Sequence, residues 1–196
     1  MLPNKKEILL QSAKELFGQL GYAETTFKKI SQRAGVALGL LSHHYGNKET
    51  LFLTAGLSVL SKFLEVLREA CAEGANGYES VKNFCRAYLN FSIDPSSNWL
   101  VLVRCSPYSD MKTAANRDIM ISEFAKVPRE LEREIRRGIA DGSIRDLPVQ
   151  ETAQIILALM VGANRTRTLT PYASPSLYEE VVAFVERSIK TERYDD

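Results

Sequence analysis

The stretch TFKKISQRAGVALGLLSHHYGNKETL, residues 26–51, decides the fold. Phe27, Ile30 and Ala34 recur at helical spacing and share one face of a short helix. Gly35 stops that helix, Val36 plugs the corner, and a second helix runs from about Ala37 to Tyr45. Leu41 and Tyr45, four apart, give the second helix its inner face. Leu38, Gly39, Ser42, His43 and His44 then face outward as a polar and nearly uncharged set. Such a set suits the edges of base pairs better than an open solvent face. Two short helices across a tight turn, with a third starting at Lys48, read as a helix-turn-helix and point to DNA.

The rest of the chain is helical by periodicity, without a convincing alternating strand pattern. Asn4 with Glu7 three residues on is a capping box for a first helix, which Gly21 ends. Asn47 caps a long helix, Lys48 to about Ala72, whose stripe is Phe52, Ala55, Val59, Phe63, Val66 and Ala70. EGANG (73–77) is a break, and a helix follows from about Tyr78 to Ser92. After the loop DPSSN (94–98), Trp99–Val103 is read as helix, closed by Pro107. A long amphipathic helix is expected from about Asn116 to Ala140, kinked near Pro128. The last two helices run from about Val149 to Thr166 and from about Ser176 to Thr191. The expected architecture is all-α: a three-helix head, residues 1–47, and a larger helical domain, residues 48–196.

Composition narrows the function classes. With 196 residues and 45% hydrophobic content, the chain buries a full core. Its net charge of +1 hides a basic bias: residues 1–50 hold seven Lys or Arg against four Asp or Glu. That bias suits a polyanion-facing head. Cys71, Cys85 and Cys105 lack a CxxC spacing and read as buried thiols of a reducing, cytoplasmic setting. No signal peptide is evident, and the longest apolar run, Ile155–Ala163, is too short for a bilayer, so no membrane partner is expected. Enzyme motifs are absent: Gly56-Leu57-Ser58-Val59-Leu60 lacks the second glycine of a nucleophile elbow, and there is no GxGxxG, P-loop or HExxH. Neighbours on a helix point about 100° apart, so His43 and His44 do not converge on one metal ion. No cofactor is implied.

The N-terminal 55 residues resemble the tetracycline-repressor (TetR) family of bacterial transcriptional regulators. Leu16, Phe17, Gly21, Tyr22, Thr25, Thr26, Ile30, Ala34, Gly35, Val36, Gly39, Leu41, His44, Tyr45, Lys48, Glu49 and Leu51 match its pattern at fixed spacing. Leu40 and Ser42 depart from it, standing where the family usually has a hydroxyl residue and a tyrosine. The Ser42-His43-His44-Tyr45 variant is similar to a subset that includes repressors of choline-to-betaine genes. The resemblance implies a homodimer that binds a palindromic double-stranded operator and releases it on binding a small-molecule effector.

Residues and resemblance together nominate three sites. The DNA-binding set is Thr25, Thr26, Lys28, Ala37, Leu38, Gly39, Ser42, His43, His44 and Lys48. Lys48 begins a helix, where a cation opposes the macrodipole and a bound phosphate would relieve the conflict. Tyr88, Phe91, Trp99, Arg104 and Tyr108 are the candidate effector contacts, aromatic faces that suit a cationic or apolar ligand. Ile156, Met160, Val181, Phe184 and Val185 are the candidate dimer contacts, since IILALMVGA is apolar all round. The competing reading is a small-molecule-binding or adaptor protein with a weakened head, favoured by Leu40 and Ser42.

Overall fold

The structure, a computed structural model, describes residues 4–105 and 110–191. Pro107 and Tyr108 lie outside the described residues. Ten α-helices are described: α1 (Lys5–Glu24), α2 (Phe27–Ala34), α3 (Leu38–Tyr45), α4 (Lys48–Ala72), α5 (Gly77–Ile93), α6 (Leu100–Arg104), α7 (Ala114–Phe124), α8 (Lys126–Ala140), α9 (Val149–Leu169) and α10 (Leu177–Ile189). A 3-10 turn at Pro95–Ser97 precedes α6, and one antiparallel bridge joins Ile144 to Lys190.

Packing groups the chain into two compact units, residues 1–62 with 94–124, and residues 63–93 with 125–196. In the first unit Leu9, Ala13, Phe17, Ile30, Leu41, Leu51, Phe52 and Ala55 form one core. Val101 of α6 with Cys105 at its end, and Met120 of α7 with Met111 before it, belong to that same core. The unit is therefore the three-helix head and the first half of α4, covered by the 94–124 segment. The second unit packs α5 against α8 and closes with α9 and α10. There an added Cβ on Gly77 would strike the backbone of Gly138, so glycine lets α5 and α8 cross closely.

α4 is long and apolar enough to cross a membrane by length and composition. Its apolar residues have another outlet: Leu51, Phe52, Ala55, Val59, Leu60, Phe63, Leu64, Leu67 and Cys71 are buried in the protein.

Two elements differ from the expectation. The helix expected over 116–140 is two, α7 and α8, with the break at Ala125 and not at Pro128. Pro128 sits in the first turn of α8, where a helix has no intrahelical use for that N–H. The first helix continues to Glu24, with Gly21 at φ 80° interrupting it.

Candidate nucleic-acid interface

The turn between α2 and α3 is built locally. Thr26 caps α2 by accepting from the Lys29 N–H (3.2 Å). Gly35 adopts φ 63°, the left-handed conformation that ends a helix and suits glycine. Arg33 ties α2 to α1 through Glu15 (2.6 Å), and the Tyr45 hydroxyl ties α3 to α1 by donating to the Lys6 carbonyl (3.0 Å). Leu41 and Tyr45 are buried, so α3 has one fixed rotation about its axis.

That rotation sets what α3 presents. Ala37, Leu38, Gly39, Ser42, His43 and His44 are all exposed, with Thr26 and Lys28 exposed on α2 and its cap. A Cβ added to Gly39 would meet nothing within 4 Å, so packing does not require glycine there. The His43 and His44 rings meet edge to face at 5.2 Å, and among the described residues no group of three His, Cys, Asp or Glu is placed to hold a metal ion. Leu40 turns partly inward against the head core, so its departure from the family pattern does not add an apolar side chain to the outer face.

Two of the expected contacts sit differently. Thr25 is fully buried, and its hydroxyl donates to the carbonyls of Gly21 (2.7 Å) and Leu16 (3.1 Å). Its side chain closes the end of α1 instead of facing a phosphate. Lys48 is half-buried, its ammonium donating to the Tyr22 carbonyl (2.8 Å) and the Ala23 carbonyl (3.3 Å), 4.3 Å above the Tyr22 ring. Burial holds its pKa below the ordinary lysine value. The conflict with the α4 dipole is real, but in the free protein the carbonyls at the end of α1 offset it. A third ammonium proton remains for a phosphate.

The expected effector set is divided between the two units. Tyr88 and Phe91 are buried in the second unit, packed around Phe63 at 5.1 and 5.0 Å between ring centroids. Trp99, also buried, and Arg104 belong to the first unit, where the Arg104 guanidinium donates to the Gln19 carbonyl (2.8 Å). Each side chain has a packing or capping role within its own unit. Tyr108 lies outside the described residues.

The expected dimer contacts divide by burial. Ile156, Met160 and Val185 are buried within their own protomer, facing the core of the second unit. Phe184, another of the expected contacts, is exposed (51%) and Val181 is half-buried, while Ile155 (61%) and Val161 (54%) are exposed as well. Ile155, Leu159 and Phe184 line a groove of about 160 Å³ between α9 and α10. An apolar run such as Ile155–Ala163 has two buried-looking sides, and spacing alone does not tell which one faces home.

Comparison with known proteins agrees with this geometry. Residues 9–55 match the family described as bacterial regulatory proteins, tetR family. The HTH-type transcriptional regulator BetI 1 of Chromohalobacter salexigens is 33% identical over 97 residues, covering 49% of this chain and 46% of that protein. The HTH-type transcriptional repressor AcnR of Corynebacterium efficiens is 24% identical over 95% of this chain and 93% of its own. A regulator from Saccharomonospora viridis, crystallised with choline, superposes with a TM-score of 0.83 at 18% identity, over 96% of this chain and 98% of the other. The helix-turn-helix head, over residues 9–55, is thus similar to that of the tetR family of bacterial regulatory proteins, and the rest of the chain shares the fold of solved regulators.

Proposed function

We propose that the chain is a transcriptional regulator, acting as a repressor, that grips a palindromic operator as a homodimer and lets go when a small molecule binds. The observation that carries this reading is α3 itself. Its inner face is locked by Leu41 and Tyr45, while every residue from Ala37 to Gly39 and from Ser42 to His44 is exposed. An exposed face with almost no charge and no apolar partner is suited to hydrogen-bonding and van der Waals contact with base edges. Residues 1–47 form the DNA-binding part in this reading, and residues 48–196 serve effector binding and dimerisation. Phosphate contacts come from Thr26, Lys28 and the remaining Lys48 proton. Base contacts come from Leu38, Gly39, Ser42, His43 and His44.

Half-sites one helical turn apart need two heads at a spacing of about 34 Å, which a homodimer supplies. Ile155 of α9 and Phe184 of α10, both exposed and lining one groove, belong to the face offered to the second copy. An effector that favours a different spacing of the heads would weaken operator binding by its differential affinity for the two states. Similarity to the choline-bound regulator, with the Ser42-His43-His44-Tyr45 resemblance, supports a small cationic effector as the first to try.

The experiment is a selection of genomic fragments by the purified protein, followed by titration of a recovered fragment. A recovered inverted repeat bound with nanomolar affinity, and released by millimolar choline or a related cation, is the expected outcome. Recovery of no sequence above background would overturn the regulator reading and leave the adaptor reading in its place.

A further inference from the structure

The start of α4 is a junction where three consecutive residues point in three directions. Asn47 caps the helix by accepting from the Thr50 N–H (2.9 Å). Lys48 grips the end of α1. Glu49 reaches the other way: its Oε1 accepts from the Thr113 backbone N–H (2.8 Å) and from Asn116 Nδ2 (3.0 Å). Successive helical residues diverge by about 100°, so one turn holds three separate partners.

The partners of Glu49 belong to the 94–124 segment, which packs on the head through several of its described residues. Met111 and Met120 enter the head core, and the methyl end of Met120 fills the space beside Gly56. Leu100 lies against Gly18, and Arg104 holds the Gln19 carbonyl. Along α4, Met120 is the apolar anchor at Gly56. Glu49 is the polar anchor at the other end, one residue from Lys48 and four from Tyr45 of α3. Recognition by α3 needs its side chains held to within a fraction of an ångström of the base edges, and α3 is only eight residues long. Its orientation therefore depends on what braces the α4 turn that follows it.

Resting on the reading of α3 as the recognition helix, we infer that Glu49 is a positioning residue for operator binding, bracing the first turn of α4 against Thr113 and Asn116. The 94–124 segment is then part of the DNA-binding module. A carboxylate in the first turn also suits the α4 dipole, but toward DNA it brings negative charge near the phosphate backbone. Charge and bracing predict effects of opposite sign, which makes the inference testable.

Glu49→Ala removes both the charge and the bond. Glu49→Gln removes the charge and keeps an oxygen that accepts from the same two donors. If Glu49 braces the turn, Glu49→Ala lowers operator affinity by roughly three- to tenfold. Its affinity for random-sequence DNA holds or rises, because a negative charge has gone. Glu49→Gln retains operator affinity, and Asn116→Ala adds little to Glu49→Ala, since both break one joint. Amide hydrogen exchange at Thr113 gives a readout without DNA: it should quicken in Glu49→Ala and stay slow in Glu49→Gln. Unchanged or tighter operator binding by Glu49→Ala, or equal loss in Glu49→Gln, overturns the inference while the wild-type protein still binds. A wild-type protein that selects no operator removes the regulator reading first, and the inference with it.

Discussion

Lys48 carries two jobs at the scale of a single residue. Its ammonium holds the Tyr22 and Ala23 carbonyls, a favourable place for a cation at the end of α1, and it stands over the Tyr22 ring. Lys48→Ala is therefore expected to lower stability by about 1 kcal/mol, a figure kept modest because the group is half exposed. It should also flatten the log–log salt dependence of DNA binding by about one unit per head if its remaining proton meets a phosphate. Thermal unfolding reports the first job and salt titration the second; a lowered midpoint with an unchanged salt slope would confine Lys48 to the fold. Sequence reasoning found the dipole conflict at Lys48 but not its internal solution, because the carbonyls that resolve it come from α1, 25 residues earlier. Thr25 was opaque for the same reason, since its burial depends on how α1 ends. Leu38, Ser42, His43 and His44 were legible because their exposure follows from the spacing of Leu41 and Tyr45 within one short helix.

At the scale of elements, local chemistry was readable and docking was not. Caps and breakers marked the start of α1, both ends of α2 and the start of α4, because Asn4, Thr26, Gly35 and Asn47 act on backbone a few residues away. The attachment of 94–124 to the head was not readable, since its apolar residues carry no address. Asp141 shows how one side chain fixes such a docking. Its carboxylate accepts from the Gly77 N–H at the start of α5 (2.8 Å) and from the Ser143 N–H (3.0 Å), joining α5 to the turn after α8. Hydrogen bonding by the Ser143 side chain first, and then by the Gly77 N–H, holds its pKa below the ordinary aspartate value of 3.8. A depressed folded pKa gives stability that is complete above the unfolded value and lost as pH falls through the folded one. Asp141→Asn should therefore destabilise the protein at neutral pH and flatten the loss of stability below about pH 4. Denaturant unfolding between pH 7 and pH 3 measures both; parallel curves for the two proteins would remove Asp141 from the acid response.

For the whole molecule, the question is which face of α9 and α10 meets a second copy. The burial pattern divides the apolar residues cleanly, with Ile156, Met160 and Val185 inside and Ile155, Val161 and Phe184 outside. A charge on the inside set and a charge on the outside set should therefore have different consequences. Met160→Glu places a carboxylate in a fully buried site without a partner, which costs several kcal/mol and unfolds the second unit. Ile155→Glu together with Phe184→Glu puts both charges on exposed positions, so the protomer keeps its helical circular dichroism. In a homodimer those carboxylates meet their own copies across a two-fold axis, and repulsion and desolvation favour monomers. Operator affinity then falls steeply, because two weak half-site contacts are strong only when one molecule joins them. Light scattering at micromolar concentration separates the outcomes. A wild-type monomer, or a double variant that remains a dimer with full operator affinity, would place the joining surface elsewhere on the chain.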